Sequence, residues 1–145
     1  MKVPVNEQAP VVARDQITIH APIQTVWRLL AAISEWPQWR SAVTSATLHG
    51  PAQEGAVFTW KAGGLSFTSR IHTFVPEQLL GWTGTTIGAK AVHNWTFTQA
   101  EGRTVVEVSE SLQGLFPRLF KRSFQKQLEE SMRQDLEELK QEAEA

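Results

Sequence analysis

Four histidines, at positions 20, 49, 72 and 93, and fifteen carboxylates are the acid–base groups of this chain, with neither cysteine nor tyrosine to add to them. Proton transfer needs such a group beside its substrate, with an affinity for protons tuned by burial. His93 with Glu110 is the one pair that the strand pattern can bring into a common interior. His93 shares the parity of Trp95 and Phe97, and Glu110 that of Val106 and Val108. Both have plainer readings. A lone interior histidine is more often a satisfied structural group, and Glu110, near the end of its strand, faces either the interior's mouth or solvent. Arg40 follows an aromatic segment and could pair with a ligand carboxylate. Arg70 and His72 lie on the parity opposite Phe67 and Ile71 and are expected to face water, and Asp135 is expected at a helix boundary. His20, His49, His72 and His93 fall on separate strands or turns, so no metal site is expected. No nucleophile elbow, phosphate-binding glycine loop or dinucleotide fingerprint occurs, and no cofactor is expected.

These groups need elements to position them. Met1 to about residue 11 reads as a loose lead-in, followed by a strand from Val12 to His20 with Ile17 and Ile19 on one face. Pro22 suits a first helical turn, and Val26, Trp27, Leu29, Leu30 and Ile33 follow at helical spacing. Ser34 can cap a second short helix through Trp36, which Pro37 interrupts. Six strands come next: Val43–Leu48, Val57–Lys61, Leu65–Val75, Leu79–Thr85, Lys90–Thr98 and Thr104–Leu112, separated by turn residues such as Gly63-Gly64. Strands joined by such short turns run antiparallel.

From Pro117 to Glu142 the sequence predicts one unbroken helix. Phe116, Leu119, Phe120, Phe124, Leu128, Met132, Leu136 and Leu139 recur at steps of three or four, which requires an apolar support along its whole length. About seven strands with segregated helices give an α+β architecture in a single domain spanning residues 1–145.

Charge and composition exclude several classes. Fourteen basic against fifteen acidic groups, with no basic stripe, argue against a nucleic-acid partner. The one local cluster, Arg118, Lys121 and Arg122 with Lys126 a turn later, reads as a solvated helix face, with membrane contact the alternative. No stretch approaches the length of a membrane span, so no stable insertion is expected. The first residues lack the apolar run of a signal peptide, and the absence of cysteine fits a reducing compartment; cytoplasmic is the expected location. A monomer and a homodimer are equally compatible.

Six Trp and seven Phe without Tyr make the aromatic mass almost wholly apolar. Taking the ring-rich parity of each strand as inward gives Phe58 and Trp60, then Phe67 and Ile71, then Trp82, then His93, Trp95 and Phe97, then Val106 and Val108. The helix adds Phe120, Phe124, Leu128 and Met132, and Trp36, Trp39 and Arg40 would close one end. Individually these rings are core filler. Together, on two facing walls, they imply a pocket for a hydrophobic small molecule. A ligand burying about 300 Å² of apolar surface would gain about 7 kcal/mol. Association and ordering costs take back several kcal/mol.

The element order, with Ile17-Thr18-Ile19-His20-Ala21-Pro22 running into Val26-Trp27, resembles the START-like, or helix-grip, superfamily, and most of all its polyketide cyclase/dehydrase branch. Trp36-Pro37-Gln38-Trp39 is similar to the signature between that family's two short helices. His93-Asn94-Trp95-Thr96-Phe97 and Gly102-Arg103-Thr104-Val105-Val106 match its penultimate hairpin. The resemblance implies a curved sheet gripping the C-terminal helix around a cavity for lipids, polyketides or other apolar molecules, as carrier or sensor. It also implies that some members are cyclases, for which His93 would be the acid or base. The family carries no universal catalytic motif, so fold transfers and chemistry does not. A protein-interaction module using the long helix is a third possibility.

Overall fold

The first strand, β1 (Val11–Ile19), ends where Ala21-Pro22 breaks the ladder, and Pro22 in extended conformation precedes helix α1 (Ile23–Ala31). Ile23, Val26, Trp27 and Leu30 form the buried face of α1. The second short helix is a 3-10 segment, Ile33–Gln38, with Pro37 inside it. Ser34 does not cap it; its hydroxyl accepts the Leu48 amide at 3.0 Å instead. These features come from a computed structural model, which describes residues 2–145.

Six strands follow: β2 (Val43–His49), β3 (Val57–Ala62), β4 (Leu65–Val75), β5 (Leu79–Thr86), β6 (Ala89–Ala100) and β7 (Arg103–Gln113). They pair in the order β1-β7-β6-β5-β4-β3-β2, antiparallel throughout. Gly63 and Gly64 both take positive φ, 58° and 78°, the backbone that a two-residue hairpin between β3 and β4 demands. Register shifts near Val43–Ser45 and Ile71–Thr73 mark bulges, which bend the sheet and increase its twist.

The C-terminal helix is not continuous. A short helix α2 (Leu115–Leu119) stops at Phe120, whose φ of −121° and ψ of 47° leave the helical region, and α3 (Lys121–Glu144) then begins. The expectation of one rod supported throughout fails for its first turns: Phe116, Leu119 and Phe120 are exposed, and full burial begins at Leu128. The reason is placement. α3 packs on β1 and α1, so its C-terminal half closes the core while its start stands away from the sheet. Lys140 fixes the far end, donating to Thr18 O at 2.9 Å and to Glu144, whose carboxylate also accepts the His20 amide.

The segment before β1 is held, not loose. Val3 donates its amide to His72 Nδ1 at 3.2 Å and accepts from Asn94 Nδ2 at 2.8 Å, while Asn6 donates its amide to Ser111 Oγ. His72, expected to face water, is the extra residue of the β4 bulge and is half-covered by this strap. Burial therefore lowers its proton affinity below the usual 6.5, with Lys2 acting in the same direction and a hydrogen bond with Asn94 against it. Arg70 is exposed, as its parity requires, and donates to Gly55 O at 2.9 Å.

Candidate functional site

The inward face of the sheet changes character row by row. Leu80, Trp95 and Val108 lie side by side across β5, β6 and β7, filling the space against the interior. One row on stand Trp82, His93 and Glu110. One row further the inward residues shrink to Gly84 and Ala91 beside Leu112, and then to Thr86 opposite Ala89. Small side chains there cannot reach α3, and a cavity of about 360 Å³ opens between them and the helix. That volume lies near the lower end of the range of about 300–1,000 Å³ typical for small-molecule sites.

Rings and aliphatic groups form most of its wall. Trp60 and Phe67, stacked with centroids 4.7 Å apart, come from β3 and β4, with Trp82 beyond them. The helix contributes Phe124, Leu128 and Met132. Trp60 donates Nε1–H to Ser69 Oγ at 3.1 Å, which settles the indole's polar edge.

Two polar pairs border the cavity at its inner end. His93 and Glu110 are joined through imidazole Nδ1 and a carboxylate oxygen, and both side chains are largely buried. The imidazole stacks on Trp82, with centroids 4.6 Å apart and planes 8° from parallel. A neutral ring donating Nδ1–H to Glu110 has Nε2 as an acceptor; a protonated ring has it as a donor. Nε2 has no hydrogen-bond partner among the described residues. Arg40 and Asp135 form the second pair, with Nε–Oδ1 at 3.2 Å and Nη2–Oδ2 at 2.7 Å. The guanidinium lies 4.5 Å from the Trp36 ring and 5.5 Å from that of Trp60, favourable positions for a cation over aromatic faces. Its Nη1 is buried without a partner among the described residues.

Of the residues singled out in the sequence, the cavity wall contains Arg40, Trp60, Phe67 and Trp82, then His93 and Glu110, then Phe124, Leu128 and Met132. Others belong elsewhere. Trp36 is fully buried, donates to Leu30 O at 3.0 Å and meets Phe58 edge-on at 5.5 Å, so both are core. Trp95, Phe97, Val106, Val108 and Ile71 are buried in the core and do not line the cavity. Trp27 meets Phe97 edge-on at 5.3 Å. Trp39 is buried beside Arg40 but outside the wall, and Phe120 points outward after the helix break. Arg40 already has an acidic partner, and Asp135 is buried opposite it rather than at a helix boundary.

Several wall residues escaped the sequence. Gln127 and Ser131 precede Asp135, itself expected only at a boundary, at every fourth residue on α3, and all three face the cavity beside the apolar stripe. Ala62, Gly84, Ala89 and Ala91 were missed because ring area was the criterion, whereas a void forms where side chains are small. The run of small inward residues on adjoining strands was the available signal. Among the described residues no cluster of His, Asp and Glu suited to a metal occurs, and no helix is long and apolar enough to cross a membrane.

Comparison with known proteins agrees with this architecture. Residues 10–144 match the family model described as polyketide cyclase / dehydrase and lipid transport. No curated protein matches by sequence. Among solved structures, a hypothetical protein from Helicobacter pylori superposes with a TM-score of 0.85 at 12% identity, covering 99% of this chain and 98% of that one. A START superfamily protein from Mycobacterium smegmatis gives 0.81 at 10% identity, covering 92% and 97%. The Zhui aromatase/cyclase from Streptomyces sp. R1128 gives 0.81 at 17% identity, covering 92% and 93%. At such identities the likeness is one of fold. With a family match over nearly its whole length, the chain belongs to the polyketide cyclase/dehydrase and lipid transport family, and its seven-stranded grip around a C-terminal helix is the fold of the START superfamily protein on which it superposes.

Proposed function

We propose that the protein binds a largely apolar small molecule bearing one hydrogen-bonding group, with that group at the inner end of the cavity. The observation that carries this reading is the pairing of a cavity of about 360 Å³, walled by rings, with two buried polar pairs at one end. Buried polar atoms are normally hydrogen-bonded, and the unpartnered Arg40 Nη1 and His93 Nε2 are therefore the groups for a ligand carbonyl, phenol or carboxylate to engage. Native mass spectrometry of freshly purified protein tests this. A co-purified molecule of lipid, polyketide or aromatic type, displaced by Ala91→Trp, is expected; protein that takes up no apolar molecule across such a set would overturn it.

A second reading rests on the His93–Glu110 pair. With its Nδ1 tied to a carboxylate, His93 is arranged as a general acid or base for an enolisable ketone or polyketide-like substrate. Turnover abolished in His93→Ala with affinity largely kept supports an enzyme. Affinity lost with no turnover in the parent supports a carrier.

A further inference from the structure

We infer that the cavity mouth is a docking surface for an anionic lipid bilayer. Leu115, Phe116, Leu119 and Phe120 project from α2 and the break after it, all exposed. Ile87, 74% exposed, is fixed beside them because the Phe116 amide donates to Gly88 O at 3.1 Å and the Phe116 ring lies on Gly88. Leu65, Ile87 and Phe116, all exposed, border the cavity, so apolar side chains from β4, the β5–β6 turn and α2 stand at its mouth. Exposed apolar clusters of this kind mark contact surfaces.

Charge selects the partner. From Ser111 to Leu128 the chain carries Arg118, Lys121, Arg122 and Lys126 and no acidic residue, leaving ten basic against fifteen acidic groups for the rest. A short apolar helix flanked by basic residues suits the boundary between anionic headgroups and acyl chains. The cavity's polarity agrees: the mouth is apolar and the inner end holds Arg40–Asp135 and His93–Glu110. An amphiphile in a bilayer has its polar head at the interface, and would enter this cavity head first, so that its head reaches those pairs. This last step rests on the proposed ligand binding; the docking does not.

The test is co-sedimentation of the full-length protein, without added ligand, with phosphatidylcholine vesicles and with vesicles that also contain phosphatidylserine. Binding to the anionic vesicles, reversed by salt, is expected. Arg118→Gln/Lys121→Gln/Arg122→Gln should weaken it about a hundredfold, at about fivefold per basic residue. Leu119→Ser/Phe120→Ser should weaken it as well; both positions are exposed, and an unchanged melting temperature verifies the fold. Equal binding to both vesicle types, or variants that bind like the parent, would overturn the inference. Retention on polyglutamate without vesicle binding would also overturn it, in favour of an acidic protein partner. A negative result here leaves the cavity reading intact, and an empty cavity leaves this one intact.

Discussion

His93 and Glu110 are directly opposed in the β6–β7 ladder, at the row where ring-filled core gives way to void. Their contact orients the imidazole, and the ring also rests on Trp82. Loss of His93 removes a hydrogen bond to the ligand's polar group and also leaves the Glu110 carboxylate without its partner, so the fold of the variant is verified by a thermal melt. His93→Ala is expected to weaken a phenol-bearing ligand, whose hydroxyl donates to Nε2 of the neutral ring, by about tenfold, the equivalent of one hydrogen bond. An isosteric ligand without that group should bind unchanged. Quenching of Trp60 and Trp82 fluorescence gives the titration.

Arg40 and Asp135 are both nearly buried, and removing one partner strands a charge. Asp135→Leu is expected to destabilise the fold by about 3–5 kcal/mol in a denaturant melt. The double variant Arg40→Met/Asp135→Leu should recover most of that loss, because it buries no unpaired charge. It should also lose affinity for an anionic ligand, which separates the pair's role in binding from its role in stability.

Ala91 sits between Gly84 and Leu112 on the floor of the cavity. Ala91→Trp puts an indole where the ligand would lie. Overpacking a filled core costs about 1–3 kcal/mol, and the vacant volume here should keep the penalty below that range. Ligand binding should be abolished while the melting midpoint changes little, as calorimetric titration and thermal melts would report.

His72 supplies the pH dependence. Its proton affinity is lowered in the folded state, so the unfolded chain binds more protons below pH 6.5. Stability is therefore full above pH 6.5 and declines as pH falls through the lower, folded value. Protonation at Nδ1 also conflicts with accepting the Val3 amide. His72→Gln should flatten the stability profile over that interval, and the protection of the Val3 amide against hydrogen exchange, taken relative to its intrinsic rate at each pH, should fall in the parent as pH drops.

The strands and their inward faces were legible because a half-buried antiparallel sheet writes a period of two into the chain. The alternation His93, Trp95, Phe97 was enough to orient β6, and the turn residues set the order of hairpins. Two things were not legible. The helix stripe from Phe116 to Leu139 has no interruption in its pattern, yet the backbone breaks at Phe120, since periodicity records apolar spacing and not whether a surface lies beneath. The Arg40–Asp135 pair joins residues 95 positions apart and leaves no local trace. The sequence placed Arg40 at the pocket's end facing a ligand and Asp135 at a helix boundary, and only tertiary packing makes them partners.

The non-helical backbone at Phe120 separates two kinds of selection on the chain. After it, the buried face of α3, Leu128, Met132, Asp135, Leu136, Leu139 and Ala143, is committed to the interior, where most substitutions cost stability. Up to it, Leu115, Phe116, Leu119 and Phe120 are exposed beside the entrance, with Pro117 alone buried in α2. Those four exposed positions can vary while the scaffold is left as it was, so the surroundings of the entrance are separable from the stability of the fold.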